Sequence, residues 1–373
     1  MAATKIKFSP SVNIIRDTDY SFNYIPTPNT VQTFSTILNE SLVGVKSHVL
    51  IGAYGSGKSS FLLALKQTLE KSFIHFKRYE KILGSIPNYE FMPIVGEFAS
   101  LETYFAKEFG LGKNYTTSEI IKGLDKHYKL LKKHGKGLAI LIDEFGKFLE
   151  YAAQHNPESE LYFIQQLAEW VNDSNNDTLL ITTLHQDFSA YSLKLDKLQR
   201  QEWDKVKGRL KEIPFNEPVE QLLFLASERI NDKFSNKVFD KSFDKLFDCL
   251  KEAKVFPLKD YFEKSFAEKL YPFDILSAAI LTLSLQKYGQ NERSLFSFIE
   301  SDDHLGINEF DKSKHPYFSL PQVYDYLMNG YYSFLTTKYN PHYAYWSSIR
   351  RALEKVDGIF KDTVPHLLLT LHR

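Results

Sequence analysis

Short runs of apolar residues alternate with amphipathic segments through the first 216 residues of the chain. Apolar runs that are bounded by glycine, proline or charged residues are typical of strands buried in a sheet. The sequence predicts five such strands, at residues 47–51, 91–95, 138–142, 177–184 and 212–215. Because Pro93 lacks a backbone donor, we expect the second strand at an edge. Strands that alternate with helical segments indicate an α/β fold.

The segments between these strands have apolar residues at helical spacing. They predict an amphipathic segment at 101–109 and helices at residues 29–42, 60–69, 118–133, 159–171 and 195–207. Asn29 or Thr30 is expected to cap the first helix. From residue 217 the pattern is all helical, with helices predicted at 219–230, 239–252, 261–269 and 322–328 and a core segment at 272–288. We therefore divide the chain into an arm and linker helix (1–45), a core domain (46–216), a helical domain (217–300) and a loop with a helical tail (301–373).

Composition adds few limits to this picture. The 373 residues include 46 basic and 46 acidic side chains, so no global charge favours nucleic acid, although a local patch would allow it. The single cysteine, Cys249, fits a reducing compartment, and its apolar surroundings predict a buried position. We expect a cytoplasmic protein without a membrane partner, since no signal-peptide run or spanning segment is recognised. The apolar end at 367–373 leads us to expect part of a longer protein.

Residues 52–59 read Gly-Ala-Tyr-Gly-Ser-Gly-Lys-Ser, between a predicted strand and a predicted helix. Glycines there let backbone N–H groups surround an anion at a helix N-terminus, where the helix dipole also favours negative charge. This pattern predicts a phosphate-binding loop, with Lys58 on the β- and γ-phosphates and Ser59 on Mg²⁺. A chance glycine-rich turn is the alternative, and the flanking elements argue against it. The residues expected to bind the nucleotide are Gly52, Gly55, Gly57, Lys58, Ser59 and Ser60.

Two acids follow the apolar run at 138–142, and polar residues follow the run at 177–184. Ligands bind at the carboxyl ends of the strands in open α/β sheets. We predict that Asp143 holds Mg²⁺ and that Glu144 orients and deprotonates the attacking water. A polar residue after the next strand would lie between the loop and the acids and sense the γ-phosphate. His185 is favoured for that role; the close rivals are Thr183 and Gln186.

Two arginines are further candidates. Arg209 lies between a predicted helix and the last strand, where it could project toward the γ-phosphate of a neighbouring subunit. By spacing alone Arg200 is comparable, and a surface salt bridge is the alternative. Arg293 falls in the first turn of a helix that Asn291 would cap. A cation there opposes the helix dipole, and a bound phosphate would compensate for it.

The order of these motifs resembles the AAA+ ATPases, and among them the branch near the origin-recognition ATPases. Four strings also resemble large bacterial phage-defence ATPases such as those of BREX and RADAR; they lie at residues 25–29, 52–61, 142–149 and 289–298. The resemblance implies a five-stranded parallel P-loop sheet flanked by helices and followed by an all-helical lid domain. It implies Walker A at 52–59, Walker B at Asp143 and Glu144, sensor 1 at His185, an arginine finger at Arg209 and sensor 2 at Arg293. The family often has asparagine at sensor 1.

Three functions are compatible with these residues. The first is an oligomeric ATPase that uses ATP and Mg²⁺, with ATP between subunits, in an anti-phage defence or DNA-associated complex that includes an effector protein. The second is a nucleotide-gated scaffold in which ATP fixes an assembly state that recruits the effector, with little turnover. The third is a small-molecule kinase, against which the acid pair and the long helical lid argue. The defence role follows from resemblance alone.

Overall fold

The computed structural model of the protein describes residues 12–17, 24, 26–53, 55–84, 86–192, 195–216, 219–230, 234, 239, 241–253, 263–288, 295–300, 302–311, 313–337 and 340–357. The chain divides into two compact units, Met1–Asn216 and Glu217–Arg373. Among the described residues, no helix combines the length and the apolar character needed to span a membrane.

The first unit is built on one sheet of five strands that are all parallel. The strands are β1 (Ser47–Ile51), β2 (Asn88–Val95), β3 (Lys136–Asp143), β4 (Thr178–Leu184) and β5 (Lys211–Pro214). Their order across the sheet is β2-β3-β4-β1-β5. The strand β4 therefore lies between β1, which precedes the glycine-rich loop, and β3, which ends at the acid pair. Pro93 lies in an edge strand, as predicted, because only an edge tolerates the missing donor.

Helices cover both faces of this sheet. In chain order they are α1 (Pro28–Leu42), α2 (Lys58–Leu69), α3 (Glu80–Leu83), α4 (Leu101–Glu108), α5 (Thr117–Lys133), α6 (Gly146–Gln154), α7 (Pro157–Val171) and α8 (Lys197–Lys207). Alternate residues of β3 enter separate cores, since successive side chains of a strand point to opposite faces. Ile140 and Ile142 pack with residues of α4 to α8, whereas Ala139 and Leu141 pack with residues of α1 and α2.

Two helices of the first unit differ from the sequence prediction. The helix α1 is capped by Thr27, not by Asn29 or Thr30, and Pro28 occupies the first helical position. Proline is favoured there because its missing N–H would have no partner in any case. The helix α6, directly after the acid pair, was not predicted, since its nine residues follow the strand after a two-residue turn.

The second unit consists of helices around its own apolar core. They are α9 (Val219–Ile230), α10 (Lys241–Ala253), α11 (Lys264–Lys269), α12 (Ile275–Tyr288), α13 (Leu295–Glu300), α14 (Leu320–Leu335) and α15 (Tyr343–Asp357). The core contains many aromatic rings, among them Phe273, Phe298 and Phe318. Cys249 is exposed on α10, so the prediction of a buried cysteine was wrong. It lies on the polar face, between the core positions Phe247 and Leu250.

The predicted fold class is confirmed: an α/β unit with a five-stranded parallel sheet, followed by an all-helical unit. The finer division at residues 45 and 300 stays a prediction, as does the description of the second unit as a lid.

Candidate functional site

The carboxyl ends of β1, β3 and β4 meet at one edge of the sheet and bring the predicted loop and acid residues together. The loop follows Ile51 and the acid pair ends β3, with β4 between them. His185 follows the last residue of β4. The edge of the sheet therefore places candidate residues from three separate parts of the sequence at neighbouring strand ends.

Gly52 begins the loop at a position where no side chain fits. A Cβ atom on Gly52 would lie 1.9 Å from the carbonyl oxygen of Phe215. The Gly52 N–H donates to the carbonyl of Leu184 at 3.1 Å, and the Phe215 N–H donates to the carbonyl of Ile51 at 2.6 Å. Close approach of three strand ends thus explains the first glycine of the motif.

The later glycines shape the turn into α2. Gly55 and Gly57 have φ angles of 72° and 88°, in the left-handed region that glycine adopts without strain. Gly57 is the N-cap of α2 and supplies no side-chain hydrogen bond to the helix. The first N–H groups of a helix have no partner within it, so the start of α2 offers backbone donors to an anion.

Lys58 folds back over its own loop. Its Nζ donates to the carbonyl oxygens of Gly52 at 2.5 Å and of Ala53 at 2.8 Å. Burial lowers the pKa of Lys58 to about 8, while the nearby Asp143 and Glu144 carboxylates act in the opposite direction. An ammonium group in this position is well placed to exchange loop carbonyls for phosphate oxygens.

Asp143 is buried and is held by a threonine of the neighbouring strand. The Thr183 hydroxyl donates to Asp143 Oδ1 at 2.6 Å and accepts from the Glu144 N–H at 2.9 Å. The same N–H also approaches Asp143 Oδ1 at 3.1 Å. Among the described residues no hydrogen bond engages Asp143 Oδ2. Thr183 therefore fixes one carboxylate oxygen and leaves the other for a ligand.

Glu144 adopts a backbone conformation that is rare outside glycine, with φ of 54°. Its carbonyl packs against Gly96, where a Cβ atom would lie 2.1 Å from the carbonyl oxygen. The Glu144 carboxylate pairs with the ammonium of Lys147, one turn along at the start of α6, and both side chains are roughly half exposed. The acid predicted to activate water is thus accessible and engaged by a lysine.

His185 lies at the same edge, half-buried. Its Nδ1 is 3.2 Å from the hydroxyl of Tyr191, and the two rings meet edge-on. Burial lowers the pKa of His185, with a further lowering by the Lys58 charge and a partial reversal by Glu144. The structure brings His185 into electrostatic range of the loop and the acids, while Thr183 is the residue that contacts Asp143. Its other rival, Gln186, is exposed.

The predicted arginines are not at this edge. Arg209 precedes β5 and therefore lies at the amino ends of the strands, whereas Lys58 lies at their carboxyl ends. Its guanidinium pairs with Glu169 at 2.8 Å and donates to the carbonyl of Lys205 at 3.0 Å. Arg200 is exposed on α8. Arg293 lies outside the described residues.

The site has the oxygen donors that Mg²⁺ prefers. Asp143 presents its second carboxylate oxygen, and Ser59, in the first turn of α2, has a hydroxyl that makes no hydrogen bond among the described residues. Hydroxyl and carboxylate oxygens that complete their shells with water and phosphate are typical of magnesium sites with nucleotides. The residues present therefore fit the ion.

Sequence reasoning missed several residues that shape the site. Asn216 accepts from the Ala53 N–H at 3.3 Å through its side-chain oxygen. Gly96 and Gly146 permit close approach to Glu144 and Tyr191. Nothing in the local pattern marks these residues, because each acts on a partner far away in sequence. Thr183, by contrast, is already a candidate from the sequence, because of its place near the end of a buried strand.

Comparisons with known proteins add little beyond this geometry. No protein-family model and no curated protein matches the chain. Among solved structures, ORC2 of Aeropyrum pernix in ADPNP–ADP complexes is 12% identical, over 72% of this chain and 75% of that one, with a TM-score of 0.39. ORC1 of the same organism in complex with DNA is 12% identical over 95% and 84%, with 0.38. Drosophila ORC bound to DNA is 12% identical over 88% and 69%, with 0.40. With 12% identity and TM-scores below 0.5, these likenesses identify neither a family nor a function for this chain.

Proposed function

We propose that this protein is an AAA+-type ATPase that binds ATP with Mg²⁺ and hydrolyses it to ADP and phosphate. The observation that carries the proposal is one convergence at the carboxyl edge of the sheet. An uncapped helix start with Lys58 faces Asp143 and Glu144, and Thr183 on the strand between them fixes the acid pair. Donors for phosphate and acids for metal and water are thus supplied by separate strands at one place.

The loop would bind the triphosphate through backbone donors and one mobile cation. The N–H groups at the start of α2 would donate to phosphate oxygens, whose negative charge the helix dipole favours at this end. Lys58 Nζ would leave the carbonyls of Gly52 and Ala53 for the phosphate oxygens. Mg²⁺, when held by Ser59 and Asp143, would neutralise charge on the phosphates.

Glu144 would act as the general base of hydrolysis. Its carboxylate takes a proton from water as the water oxygen bonds to the γ-phosphorus. The bond from that phosphorus to the bridging oxygen breaks, and ADP leaves with the electron pair. To reach the water, Glu144 has to exchange its contact with Lys147 for one with substrate water.

We further propose that Arg209 completes the site of a neighbouring copy in a homo-oligomer. Its position at the amino edge of the sheet supports this, because the strand β5 separates it from the loop of its own chain by about 13 Å at 3.3 Å per residue. The arginine would stabilise charge on the γ-phosphate in the transition state. Arg293 as sensor 2, and a role with an effector or DNA in anti-phage defence, are proposed from the sequence resemblance.

Three variants test these assignments. We expect Lys58→Ala to abolish ATP binding, and Glu144→Gln to keep binding while turnover falls at least about 100-fold, since general bases contribute about 10²–10⁴. Arg209→Ala should lose turnover, with Arg200→Ala as the matched control because Arg200 is exposed on the preceding helix. Mixing inactive Arg209→Ala and Glu144→Gln subunits should restore activity if sites are shared. Wild-type turnover in Glu144→Gln would refute the mechanism.

A nucleotide-gated scaffold is the second candidate, and two observations favour it. The side chains of Glu144 and Arg209 both rest in ion pairs, with Lys147 and Glu169. A protein that rarely breaks these pairs would bind ATP, assemble and hydrolyse slowly. Because exposed pairs are worth about 0.2–1 kcal/mol, Lys147→Met should raise the turnover of a true ATPase by no more than about fivefold. Assembly locked by a non-hydrolysable ATP analogue, with negligible turnover in wild type and Lys147→Met, would favour the scaffold.

A further inference from the structure

Tyr191 is a buried residue next to the site that the mechanism above does not use. It lies in the short 3-10 helix Phe188–Ser192, after β4, and is 6% exposed. Its hydroxyl is 3.2 Å from His185 Nδ1. The hydrogen bond between the buried Tyr191 hydroxyl and His185 fixes the position of the imidazole ring, because both residues lose this hydrogen bond if either ring turns.

The chemistry of the pair selects one form of the histidine. The pKa of His185 is lowered by burial and by the charge of Lys58, so the neutral imidazole is favoured. A phenol is a better donor than a neutral imidazole N–H, so the contact favours the tautomer in which the Tyr191 hydroxyl donates to an unprotonated Nδ1. The remaining imidazole proton then lies on Nε2, where it can be donated to a phosphate oxygen.

Tyr191 also touches the segment that carries the acid pair. A Cβ atom on Gly146 would lie 2.3 Å from the Tyr191 hydroxyl and 2.7 Å from its Cζ, so any larger residue there would displace the end of the tyrosine side chain. Gly146 is two residues after Glu144 and begins α6. The Phe145 N–H donates to the carbonyl of Thr183 at 3.0 Å, which joins the same segment to β4.

We propose that Tyr191 is a positioning residue that orients His185 as a hydrogen-bond donor to the γ-phosphate and couples that orientation to the segment carrying Glu144. This inference rests on the proposed ATPase function. A shift of the segment that carries Glu144 moves Tyr191 through the Tyr191–Gly146 contact and thereby turns the imidazole of His185. Conversely, a phosphate that hydrogen-bonds to His185 shifts the segment that carries Glu144. His185 and Glu144 thereby respond to the same ligand.

Tyr191→Phe removes the hydroxyl and keeps the ring, and we expect kcat to fall about 5- to 10-fold with KM for ATP unchanged. A fall of this size corresponds to the loss of the one hydrogen bond that orients His185. In a His185→Asn background the same change should have no further effect on kcat, because the two residues act through one contact. Tyr162→Phe is the control, since Tyr162 is 53% exposed.

A second measurement reports the contact without turnover. In protein labelled with ¹⁵N-histidine, the His185 signals, assigned by their loss in His185→Asn, should show Nδ1 unprotonated and Nε2 protonated. Tyr191→Phe should shift them toward a mixture of tautomers. Equal losses of kcat with and without His185, or unchanged kcat and signals in Tyr191→Phe, would overturn the inference while wild-type turnover upholds the ATPase. A wild type that neither binds nor hydrolyses ATP would overturn both.

Discussion

The hydroxyl of Thr183 is the contact on which the acid side of the site depends. It donates to Asp143 Oδ1 at 2.6 Å and accepts from the Glu144 N–H at 2.9 Å, and Thr183 is 1% exposed. Thr183→Val replaces the hydroxyl by a methyl group of similar size. The change therefore removes two hydrogen bonds and leaves packing in β4 nearly intact.

The expected cost follows from what remains unpaired. Hydrogen bonds to charged groups contribute about 1.5–3 kcal/mol, and a buried donor left without its partner costs about 1–3 kcal/mol. The cost of leaving the Glu144 N–H without its Thr183 partner is at the low end of this range, because this N–H keeps its 3.1 Å approach to Asp143 Oδ1. We expect Thr183→Val to lower the free energy of unfolding by about 2–4 kcal/mol, and turnover to fall at least about tenfold because Asp143 is no longer held.

The neighbouring threonine provides a matched control on the same strand. Thr182 is equally buried, but its hydroxyl reaches the carbonyl of His48 only at 3.4 Å. Thr182→Val should therefore cost less than about 1 kcal/mol. Thr183→Ser keeps the hydroxyl and should retain turnover. Urea unfolding followed by tryptophan fluorescence gives the stabilities, and phosphate release gives the rates.

Two results would refute this role of the Thr183 hydroxyl. One is that the free energies of unfolding of Thr183→Val and Thr182→Val lie within about 0.5 kcal/mol of each other, which is less than one hydrogen bond contributes. The other is that Thr183→Ser loses as much turnover as Thr183→Val. Either result would mean that the hydroxyl does not hold the carboxylate of Asp143.

Two further predictions concern packing and pH. Gly52→Ala places a Cβ atom 1.9 Å from the carbonyl oxygen of Phe215, so we expect lost nucleotide binding and a lower melting temperature, whereas Gly112→Ala, with open space around it, should change neither. Burial lowers the pKa of His48 and of His75 to about 4 from 6.5, so stability is complete above pH 6.5 and falls between pH 6.5 and 4 by about 1.4 kcal/mol per pH unit for each imidazole. Urea titrations at several pH values measure this slope; His48→Asn should lower it by about 1.4 kcal/mol per pH unit, and a flat profile would contradict the assigned burial effect.

Much of the fold was predictable because the signals were local. The runs at 47–51 and 178–184 consist mostly of apolar residues and are buried along nearly their whole length, as strands covered on both faces are. Pro93 marked its strand as an edge by its missing donor. The site residues Gly57 and Lys58 could be recognised for the same reason, since the loop, its glycines and the helix start are contiguous.

Other features depended on partners that are distant in sequence. The sequence predicts His185 as the residue that senses the γ-phosphate, and that role stays a prediction; the residue that contacts Asp143 is Thr183. A difference of two residues at the end of β4 decides which side chain meets the carboxylate of β3, and only strand register determines it. The sequence predicts a buried Cys249 because apolar residues surround it, but Cys249 lies on the solvent-facing side of α10 and is exposed.

A glycine-rich turn and an acid pair after two buried strands could be predicted from local residue patterns, because the glycines, the lysine and the carboxylates are contiguous with those strands. How these groups are held follows from the packing of the whole sheet. The close approach of Gly52 to Phe215, the hydrogen bond from Thr183 to Asp143 and the contact of Tyr191 with Gly146 each join residues that are 40 or more positions apart. Such contacts depend on strand order and register, which arise when the whole sheet packs and which no local pattern records.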